Sequence, residues 1–168
     1  SGRPEGIVDE TEPQRVADAV EHLGLRYAVI TSVTRDDLPD QGAGQFARTV
    51  EVLRKRVPEL KIELLIPDFS GSAEHLKCVM DSAPDVLGHN VEMVRSLYET
   101  LRPQADYRRS LKILRMAKDM HPSGLTKSGF MVGLGETEEE VFELMEDLRA
   151  AGCDLLTVGQ YLAPSKSS

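Results

Sequence analysis

The chain has 168 residues, of which 40% are hydrophobic, so one domain with a substantial core is expected, although a complete eight-stranded α/β barrel would be marginal at this length. Its formal net charge of −8 disfavours a broad phosphate-binding surface, and the sequence therefore predicts no nucleic-acid partner. No apolar run approaches the roughly 20 residues of a membrane-spanning helix, and no signal or transit peptide is recognisable, so we expect a cytoplasmic protein, or a mitochondrial or plastid one in a eukaryote, without a membrane partner.

The first half of the chain predicts two helices and two strands in alternation. Thr11-Glu12-Pro13-Gln14 has the form of a capping box with proline in the first turn, and Gly24 stands where a glycine would end that helix. A strand is predicted over Tyr27 to Val33, and its nearly continuous apolarity indicates cover on both faces. A second strand is predicted over Ile62 to Ile66. The helix between them carries apolar residues at helical spacing, namely Phe46, Val50, Leu53 and Val57.

The middle of the chain predicts two more helices around a short strand. Ser72 is placed to cap the third helix, and a strand follows around Val86-Leu87. A fourth helix is predicted from apolar residues three to four apart, namely Val91, Val94, Leu97 and Leu101.

The last third predicts a helix, a strand, a helix and a final strand. Asp106 can cap the fifth helix, and a strand passes through Phe130 to Val132. Thr137-Glu138-Glu139-Glu140 is a capping box that opens the sixth helix, and Gly152 stands just after its end. The final strand is predicted over Leu155 to Leu162.

Five strands alternating with six helices, without a hairpin signal, predict right-handed βαβ crossovers and a parallel sheet, either open or curved into a barrel. The first helix has no strand before it, and the last strand has no helix after it. Residues 1 to 168 are therefore expected to form a single partial α/β domain, truncated at both ends.

A short polar or glycine-containing segment follows each strand, whereas the opposite connections are chemically plain. Parallel α/β folds bind ligands at the carboxyl ends of their strands, so this contrast predicts a site at that edge. The segments are residues 31–37, 67–69, 89–92, 133–136 and 159–161.

The metal-binding side chains form no recognisable site by their spacing. Cys78 and Cys153 belong to no CxxC cluster and are expected to be ordinary, partly buried thiols. Two cysteines cannot supply the ligands of one ordinary four-iron cluster. The four histidines form neither an HxH nor an HExxH pattern, so no mononuclear metal site is predicted.

Taken together, the polar segments resemble successive motifs of one enzyme family. The stretches are YAVITSVTRDD from Tyr27, PDF from Pro67, HNVE from His89, TKSG from Thr126, GLGET from Gly133 and LTVGQYL from Leu156 with Pro164-Ser165. Their order and spacing are similar to those of the lipoyl synthases, which are radical SAM enzymes, and Gly2-Arg3-Pro4 resembles the segment just after that family's radical SAM cysteines.

The resemblance implies a partial (β/α) TIM-type barrel that contains the second to sixth strands of a six-stranded radical SAM core. It implies an enzyme that inserts two sulfur atoms at C6 and C8 of a protein-bound octanoyl chain. The cofactors would be S-adenosylmethionine and two [4Fe-4S] clusters, whose ligand motifs would lie before Ser1 and after Ser168. The partner would be an octanoylated lipoyl carrier protein or domain, the enzyme is expected to be monomeric, and residues 1 to 168 alone are expected to be inactive.

The resemblance also implies the residues that bind adenosylmethionine. Asn90 and Glu92 would hold the ribose hydroxyls, and residues 129–136 would pack the adenosyl group as a GxIxGxxE motif. The full set of implied cofactor-binding residues is Thr31, Ser32, Arg35, Asp36, Asn90, Glu92, Lys127, Gly129, Met131, Gly133, Glu136, Gln160 and Tyr161. The first four would bind the methionine amino and carboxylate groups, and Lys127 would at most contact a carboxylate.

Structural interpretations of the same residues stay open at this point. Asn90 could cap a helix, the glycines could serve a common βα turn, and Arg35 with Asp36 could be a surface pair without a ligand. Lys127 could be the nucleophile of a Schiff-base lyase or aldolase, and a non-catalytic α/β binding module is a third possibility.

The fifth helix carries a basic face that has two interpretations. Arg108, Lys112 and Arg115 share this face, with Arg109 beside them. The face is either simply solvated or a docking surface for an acidic carrier protein.

Overall fold

The computed structural model describes residues 8 to 163, in which five parallel strands form one sheet. The strands are β1 (Tyr27–Thr31), β2 (Lys61–Leu65), β3 (Val86–Gly88), β4 (Leu125–Val132) and β5 (Leu155–Gln160). Each strand pairs with the next one in sequence, in the order β1-β2-β3-β4-β5. An open doubly wound sheet reverses its strand order at a switch point, whereas a barrel does not. The sequential order therefore confirms the predicted partial (β/α) barrel.

The helices cover the outer face of the sheet. They are α1 (Glu12–Leu23), α2 (Ala43–Arg56), α3 (Ala73–Met80), α4 (Tyr98–Leu101), α5 (Tyr107–Met120) and α6 (Glu138–Ala150), with 3₁₀ turns at Phe69–Gly71 and Arg95–Leu97. One buried cluster joins Ile62 and Leu64 of β2 to the inner sides of α1, α2 and α3. A second cluster packs Phe130 of β4 against Leu114 and Leu144. No helix within residues 8 to 163 is long and apolar enough to cross a membrane.

Most helix ends form as predicted. The side chains of Ser72, Asp106 and Thr137 accept hydrogen bonds from backbone N–H groups of the helices that follow, and Thr137 forms the complete capping box. Gly24, after α1, adopts the left-handed conformation that favours glycine, with φ +61°. Gly152, after α6, does the same with φ +82°.

Two predictions near the start of the domain are wrong. Thr11 forms no capping box, because its hydroxyl donates to Asp9 Oδ1 at 2.6 Å instead of accepting from the helix. β1 is not covered on both faces, since the side chains of Tyr27 and Val29 are 47% and 55% exposed. These residues alternate with Ala28 and Ile30, which face the helices, so β1 has the burial pattern of an edge strand whose second face is open.

The predicted fourth helix is also wrong over its first half. Residues 91 to 94 are not helical, and Glu92 forms a parallel bridge with Phe130 of β4. Only α4, four residues long, is α-helical in this region. Pairing with β4 overrides the helical spacing, because Val91, Met93 and Val94 bury their side chains from a non-helical backbone. This departure sets the position of Glu92.

Candidate functional site

A cavity of about 800 Å³ opens at the carboxyl ends of β1, β2 and β3, where the sequence predicts a site. This volume is within the usual range for a small-molecule site. Five of the implied cofactor-binding residues line it, namely Thr31, Ser32, Asp36, Asn90 and Glu92. Arg35 instead pairs with Asp37, with Nη2 to Oδ2 at 2.7 Å, and lines an adjoining groove between α1, β1 and α2, which shares Thr31 and Ser32 with the cavity.

Glu92 is held in the cavity wall by its backbone. Its N–H donates to the carbonyl of Gly129 at 2.9 Å, and its carbonyl accepts from the N–H of Met131 at 2.8 Å. These bonds fix Glu92 at φ +74°, a left-handed conformation that is costly for a residue with a Cβ. The only charged partner of its carboxylate in the described residues is Arg102, whose Nη1 is 4.0 Å from Oε1. The carboxylate is therefore available to a ligand.

Asn90 lies on the same segment, and Gly129 lies directly against it. No helix begins at Asn90, so the capping interpretation of this residue is wrong. A Cβ added at Gly129 would be 2.9 Å from Asn90 Oδ1, which is too close for a carbon contact. Glycine at position 129 thus allows the amide of Asn90 to stay at the edge of the cavity.

Two arginines give the cavity positive charge that the sequence did not place there. The guanidinium of Arg109 donates from Nε to Asp68 Oδ2 at 2.6 Å, and Asp68 Oδ1 also accepts from the N–H of Ser70 at 2.9 Å. Arg102 lines the same wall, next to Glu92. The sequence suggested a solvated face for Arg109 because it is next to Arg108. Only the packing of α5 against the strand ends turns its side chain to the cavity.

The glycine-containing turn after β4 is stabilised from within. The carboxylate of Glu136 accepts from the N–H groups of Gly133 and Leu134. Burial acts to raise the pKa of Glu136, but these backbone donors hold the pKa below its ordinary value. Gln160 packs on Gly133 and donates from Nε2 to the Val132 carbonyl at 3.2 Å. Glu136 and Gln160 therefore shape the turn.

The remaining implied residues lie along β4 and β5, beside the cavity rather than in its lining. Met131 and Gly133 are at the end of β4, and the N–H of Tyr161 donates to the Val132 carbonyl at 2.8 Å. The structure thus brings the residues after β1 and β3 together around one cavity. It places the residues of β4 and β5 on the neighbouring rim.

The amine of Lys127 forms an ion pair with a carboxylate of the protein itself. Its Nζ is 2.8 Å from Oε1 of Glu63, whose side chain is 5% exposed, and the hydroxyl of Tyr27 donates to the other oxygen of Glu63. Burial, followed by the hydrogen bond to Glu63, raises the pKa of Tyr27 to about 12. The amine of Lys127 is thus paired with Glu63 rather than free to attack a carbonyl carbon, so this geometry disfavours the Schiff-base interpretation.

Comparison with known proteins agrees with this geometry. The radical SAM superfamily model matches residues 1–148. A lipoyl synthase of Caldanaerobacter subterraneus subsp. tengcongensis is 56% identical over 164 residues, which is 98% of this chain and 57% of the relative. The chain thus spans a little over half the length of this curated relative.

Solved structures share the fold at low sequence identity. Methylornithine synthase aligns with a TM-score of 0.67 and 15% identity, over 92% of this chain and 44% of that protein. Coproporphyrinogen III oxidase from Escherichia coli, a radical SAM enzyme, aligns with a TM-score of 0.62 and 16% identity, over 93% of this chain and 39% of that protein. The family model, the relative and the barrel topology lead to one conclusion: this chain belongs to the radical SAM superfamily and, within it, to the lipoyl synthase family.

Proposed function

We propose that the cavity is the adenosylmethionine site of an enzyme that inserts two sulfur atoms, at C6 and C8, into a protein-bound octanoyl chain. The observation that carries this proposal is the convergence of Asn90, Glu92 and Arg109 on one cavity at the carboxyl ends of the strands. The similarity to lipoyl synthases supports the reaction, and the geometry supports the place where the cofactor binds.

The charges of the cavity suit adenosylmethionine. The charged residues that line it are three acids, Asp36, Asp68 and Glu92, and two arginines, Arg102 and Arg109, which leaves one net negative charge. Adenosylmethionine carries a sulfonium, an ammonium and a carboxylate, and hence one net positive charge. In this assignment the guanidinium of Arg109 faces the methionine carboxylate, and Asp36 or Asp68 faces the ammonium.

Ribose hydroxyls require hydrogen-bond partners when they are buried. Asn90 offers an amide that can donate and accept, and Glu92 offers a carboxylate that accepts from two hydroxyls. At Gly129 and Gly133 the space that a Cβ would take is occupied by the side-chain amides of Asn90 and Gln160. The adenine ring is proposed to lie along the rim formed by these residues.

Bound adenosylmethionine, reduced by an iron-sulfur cluster, supplies radical chemistry for hydrogen abstraction. Residues of this chain would bind and orient it and exclude water from the cavity. Two cysteines cannot hold a four-iron cluster, so we propose that the ligands of both clusters come from polypeptide outside residues 1 to 168, and that these residues form one partial barrel domain. Residues 1 to 168 alone would then be inactive.

The acyl substrate is delivered by a carrier protein or domain, and α5 offers a surface for it. Arg108 and Lys112 are exposed, and within residues 8 to 163 neither makes an ion pair or a hydrogen bond. Arg115 does not belong to this free surface, because its guanidinium donates to the carbonyl of Ala150 at the end of α6. We propose that Arg108 and Lys112 attract an acidic carrier, that the enzyme is monomeric and that it acts in the cytoplasm or in an organelle matrix.

The proposal is tested with the cluster-loaded, full-length protein that carries this chain. After incubation with adenosylmethionine, a reductant and an octanoylated carrier, mass spectrometry should show product that has gained two sulfur atoms. Asn90→Ala should lose most of this product while retaining its iron content. If the wild-type protein cleaves adenosylmethionine but never adds sulfur to the octanoyl chain, the proposed reaction is wrong.

A further inference from the structure

His89 is a buried side chain that sequence analysis assigns to no role. It is 7% exposed and lines the wall of the cavity, next to Asn90. Its Nδ1 is 2.9 Å from the carbonyl oxygen of Ile66, and its Nε2 is 2.9 Å from Oγ of Ser110. Both ring nitrogens are therefore engaged.

These two contacts determine the tautomer of the ring. A carbonyl oxygen can only accept, so Nδ1 must carry the hydrogen that is donated to Ile66. Burial lowers the pKa of His89, so the ring is neutral and Nε2 has a free lone pair. Nε2 therefore accepts from the hydroxyl of Ser110.

The ring connects three elements, each of which brings one polar group to the cavity. Ile66 follows β2 directly and leads into the turn that presents Asp68, while His89 follows β3 and leads into Asn90. Ser110 is on α5, next to Arg109. Because Arg109 also donates to Asp68 at 2.6 Å, the ring and the ion pair close a loop of contacts across all three elements.

We propose that His89 is a positioning residue for the adenosylmethionine site, which fixes Asp68, Asn90 and Arg109 relative to one another. The inference rests on the proposed function of the cavity. A role in core packing alone does not account for this arrangement, because the ring and both groups that it contacts lie within two residues of a charged or amide side chain of the cavity. Loss of either hydrogen bond should therefore let Asp68, Asn90 and Arg109 move relative to one another, even where the core stays packed.

The test uses the cluster-loaded, full-length protein with Ser110→Ala and His89→Gln. The control is Ser82→Ala, which likewise removes a single hydrogen bond of a serine hydroxyl, to the Val79 carbonyl at 2.6 Å. Ser82 is half-buried, whereas Ser110 is buried, and it lies just after α3, away from the cavity. Calorimetry gives the dissociation constant of adenosylmethionine, and urea unfolding gives the stability of each protein. Ser110→Ala should weaken binding about 2- to 12-fold, the loss typical of one hydrogen bond, whereas Ser82→Ala should not change it.

Two results would overturn the inference. If Ser110→Ala and Ser82→Ala lose similar stability and both bind adenosylmethionine like the wild type, His89 only packs the core. Side-chain ¹⁵N spectra of the protein without clusters or cofactor provide the second readout, and they remain informative if His89→Gln fails to fold. An Nε2–H tautomer for His89 would remove the contact with Ile66 and the inference with it. A wild-type protein that does not bind adenosylmethionine would refute the proposed function instead.

Discussion

Replacements of Glu92 can separate the contribution of its carboxylate to adenosylmethionine binding from the conformational strain of its backbone. The carboxylate is proposed to accept from ribose hydroxyls, and hydrogen bonds to a charged group contribute about 1.5 to 3 kcal/mol. Glu92→Ala should therefore weaken adenosylmethionine binding by roughly 10- to 150-fold, at about 1.4 kcal/mol for each factor of ten. Glu92→Gln retains neutral hydrogen bonds and should lose only about 5- to 10-fold.

The backbone of Glu92 gives this series an internal control. At φ +74° an alanine keeps the strain that glycine relieves, so Glu92→Gly should be about 1 kcal/mol more stable than Glu92→Ala. The contact with Arg102, at 4.0 Å between half-exposed side chains, contributes under about 1 kcal/mol and is lost in both variants.

The assays are calorimetry of cluster-loaded protein for affinity and urea unfolding for stability. Iron content must be equal across the series, since cluster loss would also weaken cofactor binding. Alanine and glycine variants should bind adenosylmethionine equally poorly and differ in stability. Wild-type affinity in both would show that the carboxylate does not contact the ribose, and equal stability of the two would refute the argument from strain.

Three further predictions follow from other parts of the structure. In urea unfolding, Gly133→Ala should lower the free energy of unfolding by about 1 to 3 kcal/mol more than Gly135→Ala. Both glycines have positive φ, so the backbone strain is common to the two variants. Only at Gly133 would a Cβ lie 2.2 Å from Gln160 Nε2 and displace that side chain from its hydrogen bonds. As pH falls below 6.5, the free energy of unfolding of the wild type should decrease faster than that of His89→Gln, by up to about 1.4 kcal/mol per pH unit. The reason is that burial lowers the pKa of His89, so its ring binds a proton more weakly in the folded state than in the unfolded chain. Charge reversal at Arg108 and Lys112 should slow association with the octanoylated carrier in stopped-flow measurements, chiefly at low salt.

Each of these predictions has a result that would contradict it. Equal losses for the two glycine variants would mean that Gln160 moves aside at no cost. Parallel pH profiles for the wild type and His89→Gln would mean that His89 titrates normally in the folded state. For the carrier, Lys55→Glu on α2 is the control for Lys112→Glu alone, since each changes the net charge by the same amount. Equal slowing by these two variants would assign the effect to net charge rather than to α5.

The fold could be predicted largely because its signals are local. The capping box at Thr137 and the glycines after α1 and α6 act within one turn of the helices that they end, so sequence alone places them. The segment from Val91 to Val94 could not be predicted in this way. Its apolar spacing fits a helix, and only the pairing with the neighbouring β4 holds it in a non-helical conformation.

The cavity was predicted only in part for a related reason. Its place at the carboxyl ends of the strands follows from the parallel topology, and Asn90 and Glu92 come directly after a strand. Arg109 and His89 depend on packing between elements distant in sequence. The spacing of the basic residues along α5 does not reveal that Arg109 contacts Asp68 or that Arg115 contacts the end of α6. For Lys127 the resemblance implied at most a contact with a carboxylate, and the structure pairs it with the carboxylate of Glu63, which sequence alone did not single out.

The most direct test of the account is a crystal structure of the cluster-loaded, full-length protein with adenosylmethionine bound. Electron density for the ribose should lie in the cavity, with its hydroxyls within hydrogen-bond distance of Asn90 and Glu92 and the methionine carboxylate beside Arg109. Adenosyl density outside this cavity, or a ribose that contacts neither Asn90 nor Glu92, would contradict the assignment of the site.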